Sequence, residues 1–263
     1  MRIGTFGGIG VYIHWTFWLL IAMYLFSVSA SAGLAAGLVA VAFVISVFGC
    51  VTLHEFGHAG AAAAFGIRTT DITLLPIGGV ARLTRMPEKP YQELLIALAG
   101  PAVNVVIATL LLIPVLIGLN LGGSVPMLAG QDFLVQLLAA NIILVLFNLL
   151  PAFPMDGGRV LRSLIAMRTG HLRATEIAAR VGRWMAAFFV IYGLWYSYWS
   201  LALVGGFIFF AGTAELLSAR MQAAARQPPR EPDRFAWQDS QWTTTTPLNR
   251  EDVIDAVSVR QVN

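Results

Sequence analysis

Long runs of apolar residues, separated by shorter polar stretches, dominate the pattern along this chain. A helix that crosses a bilayer needs about 20 predominantly apolar residues, and six runs come close enough to that length to predict such helices. The predicted spans are residues 11–30, 34–65, 91–119, 133–150, 183–199 and 201–219. The pattern therefore predicts an all-α polytopic membrane protein with six transmembrane helices.

The polar stretch between the second and third predicted helices has a different pattern. Polar and apolar residues alternate there, most clearly over residues 70–75, and Gly78 and Gly79 follow. Alternation of this kind, interrupted by glycine, is typical of two strands joined by a turn. We expect a short, membrane-associated β-hairpin over residues 70–83.

The composition agrees with a lipid environment. Apolar residues make up 57% of the 263 residues and charged residues only 12%, and the mean hydropathy is +0.73. A soluble domain has about 25% charged residues. A chain of this length cannot bury so large an apolar fraction inside a water-facing globule. The composition therefore excludes an ordinary soluble domain, and the lone cysteine, Cys50, excludes an intrachain disulfide.

Lysine and arginine are concentrated in the polar stretches that follow the second, fourth and sixth predicted helices. By the positive-inside rule these stretches face the cytoplasm. Both termini are then cytoplasmic, and we expect a multi-pass protein of the inner cell membrane in contact with the lipid bilayer. The net charge is only +3, which fits cytoplasmic loops better than nucleic-acid binding.

The composition changes after the sixth apolar run. We expect residues 1–220 to form the transmembrane domain. Residues 221–247 are rich in Gln, Pro and Arg and contain four consecutive threonines, so they are expected to be a flexible cytoplasmic linker. Residues 248–263 regain some Val and Ile but are too short to fold alone, and they are expected to be a tail.

The segment from His54 to His58 has the pattern His-Glu-x-x-His. Residues four apart lie on one face of a helix, so the two imidazoles can bind one zinc ion while Glu55 serves as a general base. Ionisable residues on a transmembrane helix are costly unless they are paired or bound to a metal. The pattern predicts His54 and His58 as ligands and Glu55 as the catalytic base. The alternative is a pair of histidines hydrogen-bonded to neighbouring hydroxyl groups.

A zinc hydrolase typically uses three protein ligands and keeps the fourth position for water. The predicted topology places Asp156 near the cytoplasmic face, where the second predicted helix also ends. Proline and glycine interrupt the helix around Asp156, and such backbone is tolerated in a membrane where it lines a wet cavity. We expect Asp156 to complete a site for one Zn²⁺ per chain. The alternative is that it only begins a cytoplasmic helix.

Two further groups are candidates for a role in the site. Asn148 and Asn104 are amides in otherwise apolar spans, and each could donate to an oxyanion or could instead link two helices. The predicted hairpin offers a strand edge that could hold an unwound substrate through main-chain hydrogen bonds. The residues expected in this substrate-binding strand are Leu74, Ile77, Gly78 and Gly79.

These segments resemble the site-2 protease family of intramembrane zinc metalloproteases, over about the first 220 residues. Residues 54–58 resemble its zinc motif, and residues 148–157, which run from Asn-Leu-Leu-Pro to Asp-Gly, resemble its second signature. Weaker similarities link residues 75–79 to the turn of a membrane-dipping hairpin and residues 99–104 to a third motif. Residues 13–17 are similar to an early motif of the six-span bacterial branch, which includes sporulation proteases.

The resemblance implies regulated intramembrane proteolysis, in which a transmembrane segment of a membrane-tethered protein is cut near the cytoplasmic face. The implied substrates are an anti-sigma factor or a membrane-tethered transcription factor, and a regulatory membrane protein is an implied partner. The resemblance also implies a site role for Asn148, and residues 248–263 as the start of a truncated regulatory module of cystathionine-β-synthase type. A membrane transporter is the rival class, although transport does not call for Glu55 beside His54.

Overall fold

A computed structural model of the chain describes residues 1–76, 78–87, 89–120 and 130–225, and it describes no side chains for residues 118–120 and 130–132. This part of the chain is mainly helical, with one small sheet. Its elements are β1 (Arg2–Phe6), β2 (Ile9–Ile13), α1 (Trp15–Ala32), α2 (Leu34–Ala64), β3 (Thr69–Leu75), β4 (Gly78–Leu83), α3 (Pro90–Asn120), α4 (Gly130–Asn148), α5 (Asp156–Thr169), α6 (His171–Trp195) and α7 (Trp199–Ala225).

Five of these helices, α1, α2, α3, α6 and α7, are long and apolar enough to cross a membrane. In α4 the apolar segment Phe133–Asn148 is shorter than these five. The helices indicate a multi-pass membrane protein, as the apolar pattern predicted. The count of six spans and the orientation of the termini stay predictions. The linker was expected over residues 221–247, but α7 continues to Ala225; the rest of the linker and the tail at residues 248–263 lie outside the described residues.

Several predicted boundaries are wrong. The first span was expected to begin at residue 11, but residues 9–13 form β2 and the helix begins at Trp15. The fifth span was expected from residue 183, whereas α6 begins at His171. The cation-rich stretch after the fourth predicted span was assigned no element, and it contains α5, an amphipathic helix of 14 residues. Such a helix is too short to cross a bilayer, so a search for long apolar runs does not find it.

The sheet has the strand order β1-β2-β3-β4. A hairpin was predicted over residues 70–83, and β3 and β4 cover residues 69–75 and 78–83, where they pair antiparallel with Leu74 opposite Gly79. The two N-terminal strands were not predicted: β1 and β2 pair antiparallel, and β2 runs parallel to β3. The all-α expectation is therefore incomplete. Whether the sheet lies against a membrane stays a prediction.

Two features bring the predicted metal ligands together: α2 packs closely against α3, and the helical path is broken before α5. A Cβ atom added at Gly57 of α2 would lie 2.7 Å from the Ala99 carbonyl oxygen of α3, so glycine is needed for this approach. Between α4 and α5 the chain leaves the helical path, and Ala152 and Met155 of this break are buried in a cluster with Ala186 and Ile208. The break fixes where α5 begins.

Candidate metal centre

His54 and His58 lie one turn apart on the same face of α2 and are buried, with 5% and 7% of their surfaces exposed. Their imidazole planes are inclined by 82°, and the two Nε2 atoms are 3.0 Å apart. The helical spacing that the sequence predicted is therefore present, and both rings direct the same nitrogen toward one point.

Asp156 is the first residue of α5 and reaches the same point from the opposite side. Its Oδ2 atom lies 3.1 Å from the Nε2 atom of His54 and 3.1 Å from that of His58. Gly157 allows this start of the helix, because an added Cβ atom would lie 2.3 Å from the carbonyl oxygens of Leu149 and Leu150. The structure thus brings Asp156 to two histidines that lie 102 and 98 positions earlier in the chain.

The donor atoms fit a tetrahedral zinc ion. Bond lengths of about 2.0–2.1 Å place neighbouring tetrahedral ligand atoms about 3.3 Å apart, close to the observed 3.0 and 3.1 Å. The Nδ1 atom of His58 lies 2.7 Å from the Ile96 carbonyl oxygen, which can only accept, so Nδ1 carries the proton of the neutral ring. His54 Nδ1 likewise faces the Asn104 Oδ1 atom at 2.9 Å. Both neutral rings then turn an Nε2 lone pair toward the Asp156 carboxylate, an arrangement that suits a cation bound among these three atoms.

The charge state of Asp156 suits a metal ligand. Burial acts to raise the pKa of this carboxyl group, but its close contacts with His54 and His58 outweigh burial and lower the pKa to about 2. The carboxyl group is therefore ionised at neutral pH, which is the form that binds a metal.

One face of α3 is shaped around the two imidazoles. Ile96, Gly100 and Asn104 are spaced four apart and face α2, and the outer two make the Nδ1 contacts described above. At Gly100 an added Cβ atom would lie 2.2 Å from the Nε2 atom of His58 and 2.6 Å from that of His54. Only glycine leaves room for both rings. The sequence similarity over residues 99–104 pointed to this segment but gave no physical reason for it.

A cavity of about 750 Å³ opens beside the three donor atoms. Its lining includes His54, Glu55, His58, Gly78, Gly79, Val80, Ala81, Asn104, Asn148, Asp156 and Arg159. Glu55 is half-buried, and an added Cβ atom at Gly79 would lie 2.7 Å from the Glu55 Cγ atom. The backbone of β4 therefore passes directly over the predicted base.

The other predicted residues lie in different positions. Asn148, at the end of α4, lines the cavity. Asn104 is fully buried, and the oxygen and nitrogen of its amide both have partners. In the hairpin, Leu74 is buried at 4% exposure, and Ile77 lies outside the described residues.

The outer edge of β4 carries main-chain groups that pair with no other strand in the described part of the chain. The His14 N–H donates to the Leu74 carbonyl at 2.9 Å, so the main-chain groups of Leu74 point toward β2. Gly79 lies opposite Leu74, and this pair is therefore not hydrogen-bonded across the strands. The main-chain N–H and C=O of Gly79 and, by alternation, of Ala81 point away from β3. Within the described residues, β4 pairs with β3 alone.

A buried ion cluster near the site was missed by the sequence analysis. Arg162 of α5 is 2% exposed and pairs with Glu93 of α3 and Glu215 of α7. Its guanidinium also lies over the Phe153 ring, 5.1 Å from the centroid. These contacts tie the helix that carries Asp156 to two of the apolar helices. Arg162 lies 69 positions from Glu93 and 53 positions from Glu215, and no helix or strand periodicity links residues so far apart.

Comparisons with known proteins point to one protein family. The model of peptidase family M50 matches residues 42–125 and 114–192. Zinc metalloprotease MJ0392 of Methanocaldococcus jannaschii is 38% identical over 177 residues, which are 67% of this chain and 49% of the relative. The putative zinc metalloprotease sll0528 of Synechocystis is 32% identical over 199 residues, 71% of this chain and 50% of the relative.

A more distant relative is the stage IV sporulation protein FB of Bacillus subtilis, 26% identical over 151 residues, 55% of this chain and 46% of the relative. The chain spans about half the length of the curated relatives it matches. Among solved structures, the site-2 protease from Methanocaldococcus jannaschii matches with a TM-score of 0.59 and 33% identity, over 82% of this chain and 94% of that chain. The chain therefore belongs to peptidase family M50, as its resemblance to the site-2 proteases indicated.

Proposed function

We propose that this protein is a zinc-dependent intramembrane endopeptidase of the site-2 protease type, with His54, His58 and Asp156 as ligands of one zinc ion. One observation carries the proposal: two buried imidazoles and a carboxylate converge within 3.1 Å of one another, in a cavity that Glu55 also lines. A structural role for the histidines would not require two Nε2 lone pairs to face a carboxylate.

In the proposed reaction Glu55 accepts a proton from the attacking water on a carboxylate oxygen and later donates it to the leaving amine. Zinc bound at the site would polarise the scissile carbonyl and the water. The Asn148 amide, which lines the same cavity, is proposed to donate a hydrogen bond to the developing oxyanion. Asn104 is not assigned this role, because its amide oxygen and nitrogen already have partners.

The proposed substrate is a transmembrane segment of a membrane-tethered protein, such as an anti-sigma factor or a membrane-tethered transcription factor, cut near the cytoplasmic face. A helix hides its carbonyls in internal hydrogen bonds, so the segment must unwind before attack. The free edge of β4 could bind the unwound segment as an additional strand, through the outward main-chain groups of Gly79 and Ala81. This edge lies beside Glu55 in the cavity. A regulatory membrane protein is a proposed further partner.

Replacing Ala81 with proline is expected to slow cleavage about tenfold while zinc content is unchanged. Proline removes the outward N–H at the free edge, and edge strands tolerate proline; loss of a main-chain hydrogen bond to substrate costs about 1 kcal/mol or somewhat more. The measurement is the cleavage rate of a single-span substrate together with zinc per chain. Ala81→Val keeps the N–H and is the matched control. Equal cleavage by the proline and valine variants would exclude β4 as the substrate-binding strand.

Metal removal tests the proposed function itself. The protein is co-expressed with a library of single-span membrane proteins to find a cleaved member, and the reaction is then repeated with purified protein in lipid vesicles. A chelator that enters membranes should stop cleavage, and added zinc should restore it, since the proposed chemistry depends on the metal. Persistence of cleavage in metal-free protein would contradict the proposal. Zinc flux across the vesicles without any cleaved protein would favour a transporter.

A further inference from the structure

Two fully buried amides connect His54 to the backbone of a third helix. Asn104 of α3 and Asn141 of α4 are both 0% exposed. The Nδ2 group of Asn104 donates to the Asn141 Oδ1 atom at 3.2 Å, and the Nδ2 group of Asn141 donates to the Leu137 carbonyl oxygen at 2.9 Å. With the contact of Asn104 Oδ1 to His54 Nδ1 at 2.9 Å, these bonds form an unbroken chain.

The Leu137 carbonyl, at the end of this series of hydrogen bonds, sets the direction of every bond in the series. The Leu137 carbonyl can only accept, so it fixes the amide nitrogen of Asn141 toward itself and the amide oxygen toward Asn104. That oxygen can only accept, so Asn104 must turn its nitrogen toward Asn141 and its oxygen toward His54. The Nδ1 atom of His54 must then carry the proton of the neutral ring, and its Nε2 lone pair is left for the metal.

We propose that Asn104 and Asn141 are positioning residues for the metal centre: together they hold His54 in the tautomer that can bind zinc. The two histidines differ in this respect. His58 is held by the Ile96 main-chain carbonyl, which no side-chain substitution removes. His54 depends on two side chains from two other helices. Groups that orient a metal-binding imidazole in this way typically contribute 10–100-fold to metal affinity.

A simple link between α3 and α4 is the competing explanation, because buried asparagines also join transmembrane helices. The two explanations differ in what Asn141 does to zinc. In a helix link, loss of Asn141 weakens the fold but leaves His54 unchanged. In the proposed relay, by which we mean the hydrogen bonds from Leu137 through Asn141 and Asn104 to His54, loss of Asn141 frees the Asn104 amide to rotate. Its nitrogen can then face His54 Nδ1, which favours the proton on Nε2 and prevents that atom from binding zinc.

The test measures zinc affinity of purified, metal-stripped protein in detergent, by competition with a chromophoric chelator. Asn141→Leu is expected to weaken zinc binding about 10–100-fold. In the Asn104→Asp background the same Asn141→Leu change should not weaken zinc binding. Both carboxylate oxygens accept, so no rotation can present a donor to His54, and leucine removes the Asn141 oxygen that would face a second acceptor. Asn141→Asp should remain within a few-fold of the parent protein. A carboxyl group buried at this position is neutral, so its O–H donates to the Leu137 carbonyl and its other oxygen accepts from Asn104.

The control for loss of a hydrogen bond is Thr109→Val. Thr109 is exposed on α3, and in the contacts described its hydroxyl bonds only within its own helix. Unchanged zinc affinity in Asn141→Leu, or an equal loss in both backgrounds, overturns the relay. If Asn141→Leu does not fold, Asn104→Asp and Asn104→Leu decide instead, and equal zinc affinity in that pair overturns it. The inference depends on the proposed metal site, but the two fail differently: a parent protein that binds no zinc contradicts the site, whereas zinc-binding variants contradict only the relay.

Discussion

Replacing Glu55 with glutamine is expected to reduce cleavage about 10²- to 10⁴-fold, the usual contribution of a general base, while one zinc ion per chain is retained. An amide is close in shape to the carboxylate but cannot take a proton from water. Glu55 lines the cavity beside the donor atoms and is not one of the three convergent groups. The change should therefore separate proton transfer from metal binding. Cleavage rate and zinc content, measured on the same preparation, check both halves of this expectation.

The matched control is Glu176→Gln. Glu176 lies on α6 and pairs with the exposed Arg220 rather than lining the cavity. This variant should cleave at the parent rate. Parent-like cleavage by the Glu55 variant would mean that another group accepts the proton. Loss of zinc from the Glu55 variant would instead mean that Glu55 is a ligand, and the assignment of the three ligands would be wrong.

Replacing Gly100 with alanine is expected to weaken zinc binding on the order of 100-fold and to abolish cleavage at ordinary zinc levels. The added methyl group would lie 2.2 Å from the Nε2 atom of His58 and 2.6 Å from that of His54, so it must displace the two ligand atoms. Overpacking a close contact costs about 1–3 kcal/mol, and each 1.4 kcal/mol is about tenfold in affinity. Chelator competition with the metal-stripped protein measures the effect.

Gly60→Ala is the control for this substitution. Gly60 lies on α2 close to the site, but an added Cβ atom there meets no other atom within 4 Å. Zinc affinity should be that of the parent protein. If Gly100→Ala also binds zinc normally, then α3 does not pack against the imidazoles as described, and the shape of the site is wrong.

The convergence of the three candidate ligands could be predicted from the sequence, because helical spacing brings His54 and His58 together and the apolar pattern placed Asp156 near the membrane face at which their predicted span ends. The residues that support them could not. Asn104 and Asn141 meet only because α2, α3 and α4 pack together, and their separations from His54 follow no periodic rule. Gly100 has no side chain that would suggest a role, and its importance follows only from the space that it leaves for the two imidazoles.

The fold errors have equally physical causes. The strand β2 is as apolar as the helix that follows it, so residues 11–13 merged with the first predicted span. In α5 the buried positions include Asp156, Gly157 and Arg162, so burial there does not follow hydrophobicity. A buried arginine is stable only with partners such as Glu93 and Glu215, and these come from helices distant in sequence. Pairings of this kind require the three-dimensional structure.

The most direct test of the account is X-ray absorption spectroscopy of the purified, zinc-loaded protein. Two imidazole nitrogens and one carboxylate oxygen predict a first shell of nitrogen and oxygen at about 2.0–2.2 Å, without sulfur, which would lie at about 2.3 Å. His58→Ala or Asp156→Ala should remove this signal or lower the number of light-atom ligands. A zinc-free parent protein, a sulfur ligand, or a spectrum that neither substitution alters would contradict the claim that α2 and α5 together hold the metal.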